Sequence, residues 1–284
     1  MRQLTDLEQA KELSSVMVEL TSAFEGIAST RIAQIKDQVL RATEFFGDLW
    51  RIYSQIRFDR VFRFGRSQSR TAVSPKELMI LITSEGSFSG DIDQKLVSTA
   101  LTNYDRNRSD IIVIGHHGLV QLMQAGAPVV KSFKMPINDK NINVMPLIVE
   151  VQKYNSTTVY YPSYVSLMNQ EIKTMPLSSA VTEKGANVRP GEEIISEKNY
   201  IFEPSPYAVV DHLERSMMQI MLSEVIMESK LAQYASRFRA MRVAHEKAED
   251  RSSDVSWQYS RAKRQLKDER LKEVMNGLRQ RGSL

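Results

Sequence analysis

The chain contains no cysteine among its 284 residues, which excludes disulfides, thiolate metal sites and cysteine nucleophiles. Proline is absent from both ends: all nine prolines fall between Pro75 and Pro206. Proline costs about 3 kcal/mol inside a helix, so both ends are free to form long ones. Glycine is as scarce at the C-terminal end, where Gly277 and Gly282 alone follow Pro206. No apolar run reaches the roughly 20 residues that span a bilayer. The polar, acidic start carries no signal-peptide pattern, and a cytoplasmic setting is the default expectation.

What is present is an ordinary globular composition, 42% hydrophobic and 25% charged, with a net charge of +4. Cations cluster. Residues 51–70 carry six arginines against one aspartate, and the last 28 residues carry eight Lys/Arg against three Asp/Glu. Such clusters fit either nucleic acid, an acidic protein surface or a solvated helix face.

The two proline-free ends read as a helical pair. Leu4, Leu7, Leu13, Val16, Leu20, Phe24, Ile27, Ile32, Ile35 and Val39 recur at three- and four-residue steps. In the C-terminal segment a seam runs Ala235, Phe238, Arg242, His245, Ala248, Ser252, Val255, Tyr259, Ala262 and Leu266, with coiled-coil spacing. An uninterrupted helix from Asp211 to Asn276 would be roughly 100 Å long at 1.5 Å per residue, so it needs a long partner. Two helices from opposite termini pair antiparallel if the middle folds compactly and returns the chain.

The middle reads as α/β. Glu77–Thr83 and Asp110–Gly115 are short apolar runs typical of buried parallel strands. Asp91–Tyr104, Gly118–Gln124 and Val144–Tyr154 carry helical patterning, the last with Pro146 in its first turn. Thr157–Tyr161 and Tyr164–Glu171 read as strands, and residues 183–199 as a solvent-exposed excursion. The expected fold is an antiparallel coiled coil of terminal helices around a Rossmann-like α/β domain: residues 1–70, 75–206 and 207–284.

The strand–loop–helix stretch ILITSEGSFSGDIDQKLV, Ile80–Val97, resembles a phosphate cradle. It lacks the lysine of a P-loop and the Gly-x-Gly-x-x-Gly fingerprint, and Glu85, Asp91 and Asp93 surround it with carboxylates. The plainer reading is a turn with Asp91 as helix N-cap. His116-His117 lacks further ligands at suitable spacing and reads as a helix start. No constellation reads as catalytic, cofactor-binding or metal-holding.

Several stretches resemble the γ subunit of F-type ATP synthases. YIFEPSP (Tyr200–Pro206), ESKLAQYASRFRAMRVAHEKA (Glu228–Ala248) and YSRAKRQLKDERLKEVMNG (Tyr259–Gly277) follow that family's C-terminal motifs in order. TSEGSFSGDID (Thr83–Asp93) matches the head loop and LTSAFEGIASTRI (Leu20–Ile32) the N-terminal helix. The resemblance implies a central rotor that does no catalysis and carries no cofactor. Its terminal helices would sit inside an α3β3 hexamer of α and β subunits. Its α/β domain would rest with the ε subunit on the membrane c-ring, peripheral to the membrane on its cytoplasmic face.

It also implies that Tyr259, Arg261, Lys263 and Arg264 contact a loop of β, and that Phe24, Phe238 and Met241 lie in the shaft seam. Departures from the pattern are clear. The family's Arg-Gln pair is Lys263-Arg264, its N-terminal Lys is Ser22 and its first Met there is Phe24. In the head loop its Arg is Gly86 and its second Gly is Asp91, and its basic N-terminal lead is the acidic TDLEQAKEL. Two other readings stay open: a free nucleotide-binding protein dimerising through its helices, and a nucleic-acid binder using Arg51–Arg70.

Overall fold

The structure is a computed structural model that describes residues 2–55, 74–86, 88–137, 142–177, 201, 203 and 205–281. The basic stretch 56–70 and the excursion 183–199 lie outside the described residues, as do Tyr200, Phe202 and Pro204 of YIFEPSP. The elements run α1 (Arg2–Gln55), β1 (Ser74–Ile82), α2 (Ile92–Thr102), β2 (Ser109–Ile114), α3 (His116–Gln124), β3 (Val129–Phe133), α4 (Met145–Val151), β4 (Tyr154–Tyr164), β5 (Gln170–Pro176) and α5 (Pro206–Arg281). The proline-free ends are helices of 54 and 76 residues.

The chain divides into two compact units, one of residues 1–28 with 238–284 and one of residues 29–237. In the larger unit five strands form one sheet in the order β3-β2-β1-β4-β5, with β1 to β4 parallel and β5 antiparallel at the edge. β1 lies centrally and is apolar on both faces, as a strand buried in a doubly covered sheet must be. Its alternation divides the core. Leu78, Ile80 and Ile82 join Ile112, Ile114, Val159 and Tyr161 against α4 and the Met217–Ile226 stretch of α5. Met79 and Leu81 join Ile111, Val113 and Tyr160 against α2 and α3. Pro162 is tolerated in β4 because pairing with β1 ends at Tyr160, so no ladder donor is lost there on that side.

The smaller unit is a pair of antiparallel helix segments. Glu8 Oε1 accepts from Tyr259 OH at 3.4 Å, and Thr21 Oγ1 and the Val18 carbonyl each lie 3.2 Å from His245 Nδ1. As numbers rise on α1 they fall on α5. On α5 the inward residues are Met241, Ala248 and Val255, with His245, Ser252, Tyr259, Ala262 and Leu266 half-buried. Of the expected α5 seam residues, Ala235 is buried, Phe238 is half-buried and those from His245 onward are buried or half-buried, whereas Arg242 is exposed and pairs with Glu246.

Two expectations hold only in part. On α1 the predicted row is buried at Ile32 and Ile35 and half-buried at Leu4, Leu7, Phe24 and Val39, but Leu13, Val16, Leu20 and Ile27 are exposed, at 64%, 52%, 51% and 57%. The inward row is Ser14, Thr21 and Ala28, whose small side chains allow the helices to approach. Ser14 and Thr21 satisfy their hydroxyls on the helix's own carbonyls, which makes burial affordable. Secondly, Tyr164–Glu171 is largely a turn. The Val165 and Ser166 amides donate to the Asn169 carbonyl, and Asn169 N donates to Ser166 Oγ, so the alternating pattern there marks a hairpin tip. β3 was not foreseen; only its two end residues are even half-buried.

Candidate functional site

The loop from Thr83 to Asp93 leaves the carboxyl end of β1, where α/β sheets of this type commonly hold ligands. Here the loop is occupied by its own side chains. The Asp93 carboxylate is 1% exposed. Its Oδ1 accepts the Ser84 amide at 3.0 Å, and its Oδ2 accepts the Ser84 hydroxyl and faces His117 Nδ1 at 3.0 Å. The amide that would greet a phosphate is thus taken by an internal anion. Asp91, expected to cap α2, makes no side-chain cap bond; its carboxylate pairs with Lys95 at 2.7 Å.

The knot extends to the next strand end. Thr83 Oγ1 donates to the Ile114 carbonyl at 3.0 Å and accepts the Gly118 amide at 3.0 Å, while the His117 amide donates to the Ser84 carbonyl. Gly115 sits at φ +101°, and a Cβ there would collide with the Thr83 carbonyl. His117 therefore does start a helix, and it also meets a carboxylate 24 residues away that sequence spacing could not reveal.

α5 fastens the loop from the other side. Ser236 Oγ donates to the Ser89 carbonyl at 2.7 Å, and Arg237 Nη2 donates to Ser89 Oγ at 3.2 Å and the Gly86 carbonyl at 3.4 Å. A Cβ at Gly86 would lie 3.3 Å from Arg237 Nη2, so a side chain there would require that guanidinium to shift slightly. Sequence reading missed Ser236 and Arg237, whose loop partners lie about 150 residues away. Among the described residues, no group of three His, Asp or Glu could hold a metal.

The four residues expected to contact a partner lie on successive turns of α5. Tyr259 is half-buried in the helix pair, with Lys11 Nζ 5.3 Å and Lys263 Nζ 5.6 Å from its ring centre. Arg261 is exposed and lies 5.5 Å over the Trp257 ring. Arg264 is exposed and donates to the Ser260 carbonyl at 3.4 Å. Lys263 is exposed too. Beyond them Leu271, Val274, Met275 and Leu278 form an exposed apolar row at helical spacing. Of the expected seam residues, Met241 is 7% exposed, and Phe24 and Phe238 are half-buried.

A family profile described as ATP synthase matches residues 8–279. The ATP synthase γ chain of Mycoplasmoides gallisepticum is 22% identical, over 98% of this chain and 99% of that one. That of Chloroherpeton thalassium is 21% identical over 91% of each. Among solved structures, a chain of the Euglena gracilis mitochondrial ATP synthase (OSCP/F1/c-ring) has the same fold, with TM-score 0.67 at 13% identity over 96% of this chain and 94% of that one. A chain of the Tetrahymena thermophila central stalk and c-ring superposes with TM-score 0.55 at 16% identity, over 79% of this chain. Matched end to end and in order, the chain belongs to the ATP synthase γ-chain family.

Proposed function

We propose that this chain is the central rotor stalk of a rotary ATP synthase or ATPase, carrying torque between an α3β3 hexamer and a membrane c-ring. One observation carries the reading: the two chain termini pair antiparallel through Tyr259–Glu8 and His245–Thr21, while all five strands lie between them in sequence. That arrangement suits a rotor stalk, and the similar solved chains belong to the Euglena OSCP/F1/c-ring assembly and the Tetrahymena central stalk with its c-ring. The chain itself does no chemistry; ATP is handled by the β subunits. The ε subunit and the c-ring are its partners at the head, on the cytoplasmic face of the membrane. Among the described residues no helix is long and apolar enough to cross a membrane.

Arg261, Lys263 and Arg264 are the groups that face an acidic loop of β, with Tyr259 holding that turn of α5 against α1. Lysine in place of the family's arginine keeps the charge but cannot form a bidentate fork. Phe24, Phe238 and Met241 line the shaft seam. Self-occupation of the Thr83–Asp93 loop counts against the nucleotide-binding reading.

The test is reconstitution of the full chain with its α and β subunits, followed by ATP-driven rotation of a probe fixed to the head. Lys263→Glu with Arg264→Glu reverses charge opposite an acidic loop and is expected to uncouple hydrolysis from rotation or prevent assembly. Rotation and hydrolysis equal to the unaltered complex would refute those contacts. Isolation of the chain as a stable monomer that never joins a hexamer would refute the rotor reading.

A further inference from the structure

The helix pair buries the wrong residues for a free-standing coiled coil. Ser14, Thr21 and Ala28 face inward, while Leu13, Val16, Met17, Leu20 and Ile27 stand 51–64% exposed. At 100° per residue these five occupy a continuous stripe about 100° wide. Single exposed hydrophobes are ordinary, but a contiguous row marks an interaction surface.

The surroundings of the stripe specify a charge. Residues 6–25 carry five carboxylates against Lys11 alone. Glu12 and Glu19, both exposed and seven residues apart, border one edge of the stripe. The facing stretch of α5, residues 241–260, adds four carboxylates against three cations. Sign then reverses along the same helix: residues 261–273 carry six Lys/Arg against three carboxylates. One unit therefore presents an acidic section followed by a basic one.

We propose that the outward stripe of α1 receives a basic amphipathic segment of a partner subunit, its apolar side chains on Leu13, Val16, Met17, Leu20 and Ile27 and its Lys/Arg beside Glu12 and Glu19. Charge selects this occupant. An acidic segment, of the kind assigned above to the Lys263–Arg264 turn, would meet like charge here. The inference rests on the rotor reading, in which other chains enclose the helix pair, and assigns opposite chemistry to two levels of that enclosure.

The test uses the full chain in its assembled complex, with a photo-crosslinking benzoylphenylalanine placed at Leu20 and, separately, at Lys263. Crosslinked peptides are then sequenced by mass spectrometry. The Leu20 position is expected to capture a peptide rich in Lys/Arg with apolar residues at three- and four-residue steps. Glu12→Lys with Glu19→Lys is expected to lower that yield about tenfold, leaving the Lys263 crosslink unchanged. Should the charge-reversed pair fail to assemble, Glu12→Gln with Glu19→Gln supplies the same comparison with a smaller drop that high salt reproduces in the unaltered chain.

Capture of an acidic or uncharged peptide at Leu20 overturns the proposal. So does absence of a Leu20 crosslink where Lys263 reacts, or a yield indifferent to the glutamates and to salt. Failure at both positions overturns the rotor reading, and this inference with it.

Discussion

Removing one carboxylate should loosen the whole sheet unit. Asp93 accepts from the Ser84 amide and hydroxyl and faces His117 Nδ1, and it is 1% exposed. Asp93→Ala strands two buried donors and one that is partly solvated, since the His117 side chain is 37% exposed. An orphaned buried donor costs about 1–3 kcal/mol. Water reaching His117 relieves part of this, which leaves a loss of about 3 kcal/mol. The readout is amide hydrogen exchange of Ile80–Ile82 and Ile111–Ile114 in the full chain, because these central strands open only with the unit as a whole. A loss of about 3 kcal/mol is roughly a 100-fold faster exchange. Asp93→Asn keeps an oxygen for the Ser84 amide and should cost about 1 kcal/mol. Exchange within about threefold of the unaltered chain for Asp93→Ala would show that the knot is ornamental and that the loop is held by α5 instead.

Val255 is 2% exposed in the helix pair, so Val255→Asp buries an unpaired charge at a cost of about 3 kcal/mol or more. Amides of residues 241–266 should exchange faster while those of β1 and β2 keep their protection; an equal loss in both would contradict the division into units. Gly115→Ala places a Cβ against the Thr83 carbonyl at φ +101° and should cost about 2–3 kcal/mol by the same sheet-amide measurement. Burial, reinforced by Glu228 and Glu224, pushes the Tyr161 phenol up to about 12 from its ordinary 10.0. Its contribution to stability is therefore complete below pH 10 and is lost as pH climbs towards 12. Ultraviolet titration of phenolate should show late-ionising tyrosines, one of which disappears in Tyr161→Phe while Tyr154, also raised to about 12, remains.

The sheet was legible because its central strands are buried on both faces and so read as unbroken apolar runs. β1 and β2 appear close to where Glu77–Thr83 and Asp110–Gly115 predict them. β3 was illegible for the converse reason: an edge strand with three exposed residues needs no hydrophobic signature. At the loop, glycine and serine content announced a turn but not its contents. Asp91 and Asp93 are equivalent on paper, and only tertiary contact with Ser84 and His117 decides which carboxylate is buried. Ser236 and Arg237 were hidden by distance along the chain.

The helix pair shows how a periodic signal can be correct and still choose the wrong face. α1 carries two rows at helical spacing roughly a third of a turn apart, one of large aliphatics and one of Ser14, Thr21 and Ala28. Hydrophobicity alone assigns the first row to the seam. Packing assigns the second, because α5 offers His245 and Tyr259, and each finds a polar partner on α1, at Thr21 and Glu8. A seam of small and hydrogen-bonded residues fixes register rather than supplying much hydrophobic free energy. The aliphatic row left outside would gain that free energy only on contact with another chain. An apolar stripe that the fold declines to bury is thus the sequence's record of a partner, and reading it as core misses the surface through which a shaft meets its surroundings.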